Sequence, residues 1–177
     1  MIITNLPDRT EAAEYYFTYI DKVPGGDIIG ILETQQAQTL ALLGGISEEK
    51  SMSRYAPDKW TIRQVLNHIN DAERLFVSRA LWFARGFDSP LPGFDQDIAV
   101  ASAAADARTL SRHVEEFHTI RAATLSLFIN LPAEAWSRKG IASGNPFTVR
   151  ALAYITAGHV THHTRIIEER YLMENGE

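Results

Sequence analysis

The sequence contains no cysteine. That absence excludes a disulfide framework, a thiolate-ligated zinc or iron–sulfur site and a cysteine nucleophile, so a metal held by side chains would see nitrogen or oxygen. Positive charge is scarce as well: 17 Lys and Arg stand against 22 Asp and Glu, for a net charge of −5. Phosphate-backbone binding depends on clustered Lys and Arg, and no such cluster breaks this balance, so nucleic acid is not an expected partner. Long apolar runs are also missing. The longest charge-free stretches, such as 151–164, fall short of the ~20 apolar residues of a membrane-spanning helix. Residues 1–8 carry neither the basic nor the apolar region of a signal peptide. The expectation is a cytoplasmic protein with no membrane and no nucleic-acid partner.

Strand signals are nearly absent too, whereas helical signals recur. The 177 residues suffice for one domain, 1–177, with its own core. Asp8 or Thr10 is placed to cap a first short helix ending before Pro24-Gly25-Gly26. Asp27 opens a second segment over 28–43, closed by Gly44-Gly45, and Thr61 caps a long helix over 62–85. Pro90 and Pro92 interrupt helix formation before a periodic run over about 101–130. Thr148 caps a last helix running to about 173. The pattern predicts an all-α protein, an antiparallel four-helix bundle with a short extra N-terminal helix.

Six histidines are the main chemical resource of the chain. His159 and His163 are four residues apart, so on a helix they share one face about 6 Å apart and can bind one metal. They fall on the largely apolar stripe Leu152, Ile155, His159, His163, Ile166, whereas His162 shares a solvent-like stripe with Gly158, Arg165 and Glu169. His162 is therefore expected to be exposed. His68 lies at the edge of the apolar face Val65, His68, Ala72, Leu75, Trp82, and bundle packing could bring it opposite the pair. A histidine on an apolar stripe can equally be a hydrogen-bonded core residue, and His113, among Leu110, Phe117 and Ile120, has the same setting. His118 is unassigned by this test.

The segment Lys59-Trp60-Thr61-Ile62-Arg63-Gln64-Val65-Leu66-Asn67-His68-Ile69-Asn70-Asp71-Ala72-Glu73 resembles the first motif of the DinB/YfiT-like superfamily. Gly158-His159-Val160-Thr161-His162-His163 resembles that family's second motif, and Pro92-Gly93-Phe94-Asp95-Gln96-Asp97 and Leu131-Pro132-Ala133-Glu134-Ala135-Trp136 also resemble family segments. The resemblance runs over about 54–172. It implies a four-helix bundle with a long crossover, a divalent metal held by His68, His159 and His163, and a homodimer. Its characterised members include thiol-dependent S-transferases and a thiol-dependent isomerase.

Three neutral imidazoles leave a coordination position open, and all-nitrogen ligation suits Zn, Ni, Fe(II) or Co. Asp71, three residues after His68, is a candidate acceptor for that histidine's second N–H. Position 160 is Val, so the glutamate base of the His-Glu-x-x-His zinc proteases is missing. Asp95 or Glu73 is a candidate base. Arg121, on the stripe Val114, Phe117, Arg121, Leu125, Phe128, can bind an anionic substrate group or form an interhelical ion pair. The expected function is a metal-dependent enzyme acting on a small-molecule substrate. Transfer from a low-molecular-weight thiol is preferred to hydrolysis, and the alternative is a non-catalytic metal- or small-molecule-binding bundle.

Overall fold

The computed structural model describes residues 5–173, so the first half of the 1–8 stretch lies outside it. A turn of 3₁₀ helix, Glu14–Tyr16, leads into the short α1 (Phe17–Ile20). Neither Asp8 nor Thr10 caps it. Asp8 instead closes a local turn, accepting from the amide and hydroxyl of Thr10.

The next caps follow local chemistry. Asp27 accepts from the Ile29 amide and starts α2 (Ile28–Gly44). Thr61 and Gln64 form a reciprocal capping box that starts α3 (Ile62–Ala84), satisfying two orphan donors at once. The expected run over 101–130 is broken. Asp95 caps a separate α4 (Gln96–Ser102), Ala104 turns left-handed at φ 49°, and Thr109 caps α5 (Leu110–Ile129). Thr148 accepts from the Ala151 amide and starts α6 (Val149–Ile166), which continues as a π-helical turn over Ile167–Leu172.

The connection between α5 and α6 contains a hairpin that alternation did not reveal. β1 (Lys139–Ala142) and β2 (Asn145–Thr148) pair antiparallel, with Lys139 opposite Thr148 and Ala142 opposite Asn145. Four-residue strands are too short to show a period. Their two-residue turn, Ser143-Gly144, takes φ 51° and 73°, the left-handed geometry that suits tight hairpins. The hairpin gathers distant chain. Leu91 donates its amide to the Ile141 carbonyl and accepts from that of Ser143, while Thr148 donates to the carbonyl of Glu11.

The four long helices form a four-helix bundle in which α3 packs on α5 and α6, and α2 closes the ring against the same two. Side-chain pairs give the directions. Arg121 meets Leu32 while His118 meets Gln36, so α2 and α5 run oppositely. Asn70 meets His113 while Glu73 meets Arg121, so α3 and α5 run together. Such a parallel neighbour requires a long crossover, which the 25 residues between α3 and α5, 85–109 with α4 inside, supply. The core has two parts. Ile20, Phe83, Phe128, Phe147 and Leu152 fill one end, and Leu66, Ile69, Phe117, Val160 and Ile167 fill the other.

Helix α1 seats directly on α6. A Cβ at Gly158 would collide with the backbone carbonyl of Tyr19, so this position must lack a side chain for the two elements to touch. That contact brings the Tyr19 ring over the histidines that follow Gly158.

Candidate metal centre

His68 lies on the second turn of α3, set by the Thr61 cap, and points toward α6 where the two helices cross. His159 and His163 lie on consecutive turns of α6. Each of the three offers a ring nitrogen, and those nitrogens all lie within 4.8 Å of one another. The Nε2 atoms of His68 and His159 are 3.0 Å apart. That spacing is close to what two ligands adopt around one tetrahedral ion at bond lengths of about 2.0–2.1 Å. The rings are held edge to face, with centroids 4.4–4.8 Å apart. Aromatic walls surround them: Trp60 leans on His68, Phe76 on His159, and Tyr19 on both His159 and His162.

Burial sets the protonation state. Desolvation disfavours the imidazolium and lowers His68 to about 4 and His163 to about 3; it also holds His159 well below its ordinary value, with the neighbouring imidazoles adding to the effect. All three are therefore neutral at pH 7, the form that donates a lone pair to a metal. An unfolded chain takes up these protons near pH 6.5, whereas the folded chain does not, so stability falls as pH drops below that point. The expected slope in chelator-treated protein is about 1.4 kcal/mol per pH unit for each imidazole, continuing until its folded pKa is reached. Urea titrations between about pH 7.5 and pH 5 measure it, and removing His163 should make the slope shallower by one imidazole.

Two clefts reach the cluster from either side of the crossover. One, of about 200 Å³, is lined by Tyr16, Tyr19, Phe76, Arg79 and Phe94 and ends at His68 and His159. The other, of about 320 Å³, is lined by Tyr55, Trp60, Asp97 and Tyr171 and ends at His163. Gln96 borders the first and its neighbour Asp97 the second, so the start of α4 divides them. A larger groove of about 880 Å³ between α2 and α6, at Gly30, Thr34 and Thr161, contains no imidazole. Donor chemistry, not volume, marks the site.

Several sequence expectations change here. His162 is half-buried, because Tyr19 covers its ring. His113 is buried on the far side of α3, where its Nε2 meets the Ala105 carbonyl at 2.9 Å; it is not part of the cluster. His118 is exposed. Asp71 does not serve His68, since it accepts from Asn67 Nδ2 at 2.8 Å, one turn back on its own helix. Asp95 is spent on the α4 cap. Glu73 and Arg121 saturate each other through two 2.8 Å bonds, so Glu73 is no free base and Arg121 no substrate anchor. Sequence reading passed over Asp97, Tyr19 and Arg79 as lining residues. The motif that carries Asp97 was visible, but nothing local places the crossover above the histidines.

A family profile described as the DinB superfamily matches residues 31–167. Among solved structures, the fold is similar to that of YfiT from Bacillus subtilis, described as a probable metal-dependent hydrolase with an unusual four-helix bundle topology. The TM-score is 0.72 at 16% identity, covering 94% of this chain and 91% of that one. No curated protein sequence matches the chain significantly. No helix among the described residues is long and apolar enough to cross a membrane.

Proposed function

Because the chain belongs to the DinB superfamily, we propose that it is a metal-dependent enzyme in which His68, His159 and His163 hold one divalent ion, Zn, Ni, Fe or Co. The reading is carried by the convergence of three neutral imidazoles with no carboxylate or fourth histidine in the group among the described residues. A three-nitrogen donor set leaves room for a further ligand, as catalytic sites do. Clefts opening at the cluster from two sides favour an enzyme over a closed, purely structural site. When bound, such an ion supplies Lewis acidity and lowers the pKa of a thiol or water beside it.

The residues of the chain supply the rest. Trp60, Phe76 and Tyr19 pack against the imidazoles and fix their rings. Glu73, Asp71 and Asp95 are engaged elsewhere, which leaves Asp58 and Asp97, in the cleft beside His163, as the carboxylates nearest the cluster. A low-molecular-weight thiol is the preferred cosubstrate on acidity alone, because a thiol of pKa about 8.5 needs far less help to lose its proton than water does. Hydrolysis is the second reading, supported by Asp97, which with Asp58 lines the cleft beside His163 and is the candidate base.

The test is an assay of metal-loaded protein with a small thiol and an electrophile, run beside His163→Ala. Conjugation at least ~100-fold faster with wild type supports the thiol reading, since general-acid–base and metal groups contribute on that scale. Equal rates would sink it. Turnover of an ester without thiol, abolished in Asp97→Asn, would establish hydrolysis instead.

A further inference from the structure

The bundle buries two arginines, and only one of them is neutralised. Arg121 gives its Nε–Nη2 edge to the carboxylate of Glu73. Arg79, on α3, is 2% exposed, yet it forms no salt bridge among the described residues. Its Nη2 donates to the Pro92 carbonyl at 3.1 Å and to the Ser143 hydroxyl at 2.8 Å. Its Nε has no partner at all. The Tyr16 hydroxyl lies beside the guanidinium, but burial raises the pKa of that phenol and keeps it neutral.

A buried cation satisfied only by neutral oxygens keeps its charge uncompensated, which proteins rarely tolerate without a functional reason. The location supplies one. Arg79 lines the same small cleft that ends at His68 and His159, and the other walls are largely aromatic: Tyr15, Tyr16, Tyr19, Phe76 and Phe94. With both Nη2 hydrogens given to Pro92 and Ser143, the charge and the remaining guanidinium donors are left to meet an anion, and a narrow aromatic cleft matches a flat apolar body.

We propose that Arg79 anchors the carboxylate of a small aromatic or flat apolar substrate and so presents the other end of that molecule to His68 and His159. This rests on the reading of the cleft as the substrate site. A purely structural Arg79 would only pin the crossover to the hairpin through Pro92 and Ser143, and its removal would weaken all ligands alike. An anchoring Arg79 discriminates by charge.

The probes are benzoate and its neutral isostere benzamide, titrated calorimetrically into the protein as purified and after chelator treatment, so that the metal cannot account for carboxylate binding. Benzoate should bind both forms at least tenfold more tightly than benzamide. Arg79→Met should abolish that preference, and Arg79→Lys, which keeps the charge without the planar guanidinium, should retain part of it. Absence of benzoate binding, equal affinities in wild type, or an unchanged preference in whichever variant folds would overturn the proposal. The charge preference should persist in His163→Ala. If it persists while wild type shows no metal-dependent turnover, the metal reading fails and the anion site stands.

Discussion

Arg121→Met is expected to destabilise the protein by about 3–5 kcal/mol, the scale for breaking a buried ion pair from one side. The substitution removes a side chain with no exposed surface and leaves Glu73, 2% exposed, as an unpaired carboxylate in the middle of the bundle. More than the pair is lost. Arg121 Nη1 also donates to the Leu32 carbonyl and to Gln35 Oε1, each at 3.0 Å. The Gln35 amide in turn donates to the Ala157 carbonyl at 2.7 Å and to Thr161 Oγ1 at 2.8 Å. One connected network therefore joins α5, α3, α2 and α6, and removing its cation disconnects all four. For a chain of this size the loss corresponds to a fall of roughly 6–20 °C in Tm. Urea unfolding measures it directly. Combining Arg121→Met with Glu73→Leu removes both charges and should recover much of the loss, since apolar replacement of a whole buried pair is often close to neutral. A single-variant loss below about 1 kcal/mol would show that Glu73 finds water or protonates at little cost.

The second large effect concerns metal content. Elemental analysis of the purified protein is expected to give one divalent ion per chain and almost none in His68→Ala, His159→Ala or His163→Ala. Losing an outer hydrogen-bond partner of a metal ligand costs about 10–100-fold in affinity; losing one of three ligands should cost more. Stoichiometric metal in all three variants would refute the assignment. Two controls sharpen the result. His113→Ala and Asp71→Asn alter groups placed away from the cluster and should leave metal content unchanged. Chelation should lower the Tm of wild type, because an ion that binds only the folded chain stabilises it by mass action, about 2.7 kcal/mol at a hundredfold excess over Kd. It should leave the Tm of the three alanine variants unmoved.

What was legible in the sequence was whatever a few neighbouring residues decide. Asp27, Thr61 and Thr148 cap helices as expected because the cap and the amide it serves are two or three residues apart. The inward direction of His68, His159, His113 and Arg121 was legible for the same reason, since a helix's own periodicity fixes which face is apolar. The neighbour that each side chain meets was not. His113 and His68 sit on similar stripes, yet one meets a backbone carbonyl and the other two imidazoles. Glu73 and Arg121 read separately as a base and an anchor, and only the side-by-side course of α3 and α5 reveals that they cancel. The merged 101–130 run has another cause. The stretch Ala99 to Ala107 is rich in alanine, which favours helix and hides the left-handed turn at Ala104.

The π-helical turn at the end of α6 sets a constraint on spacing. In this turn each bond spans one residue more than in an α-helix, as in the Met173 amide donating to the Glu168 carbonyl. With that widened turn, the Tyr171 hydroxyl reaches the Trp60 carbonyl at 2.6 Å, fastening the tail of α6 to the residue whose ring leans on His68. Deleting one residue between His163 and Tyr171 would swing the phenol by roughly 100° about the helix axis and release that fastening. Along this stretch, evolution should accept changes of residue more readily than changes of length.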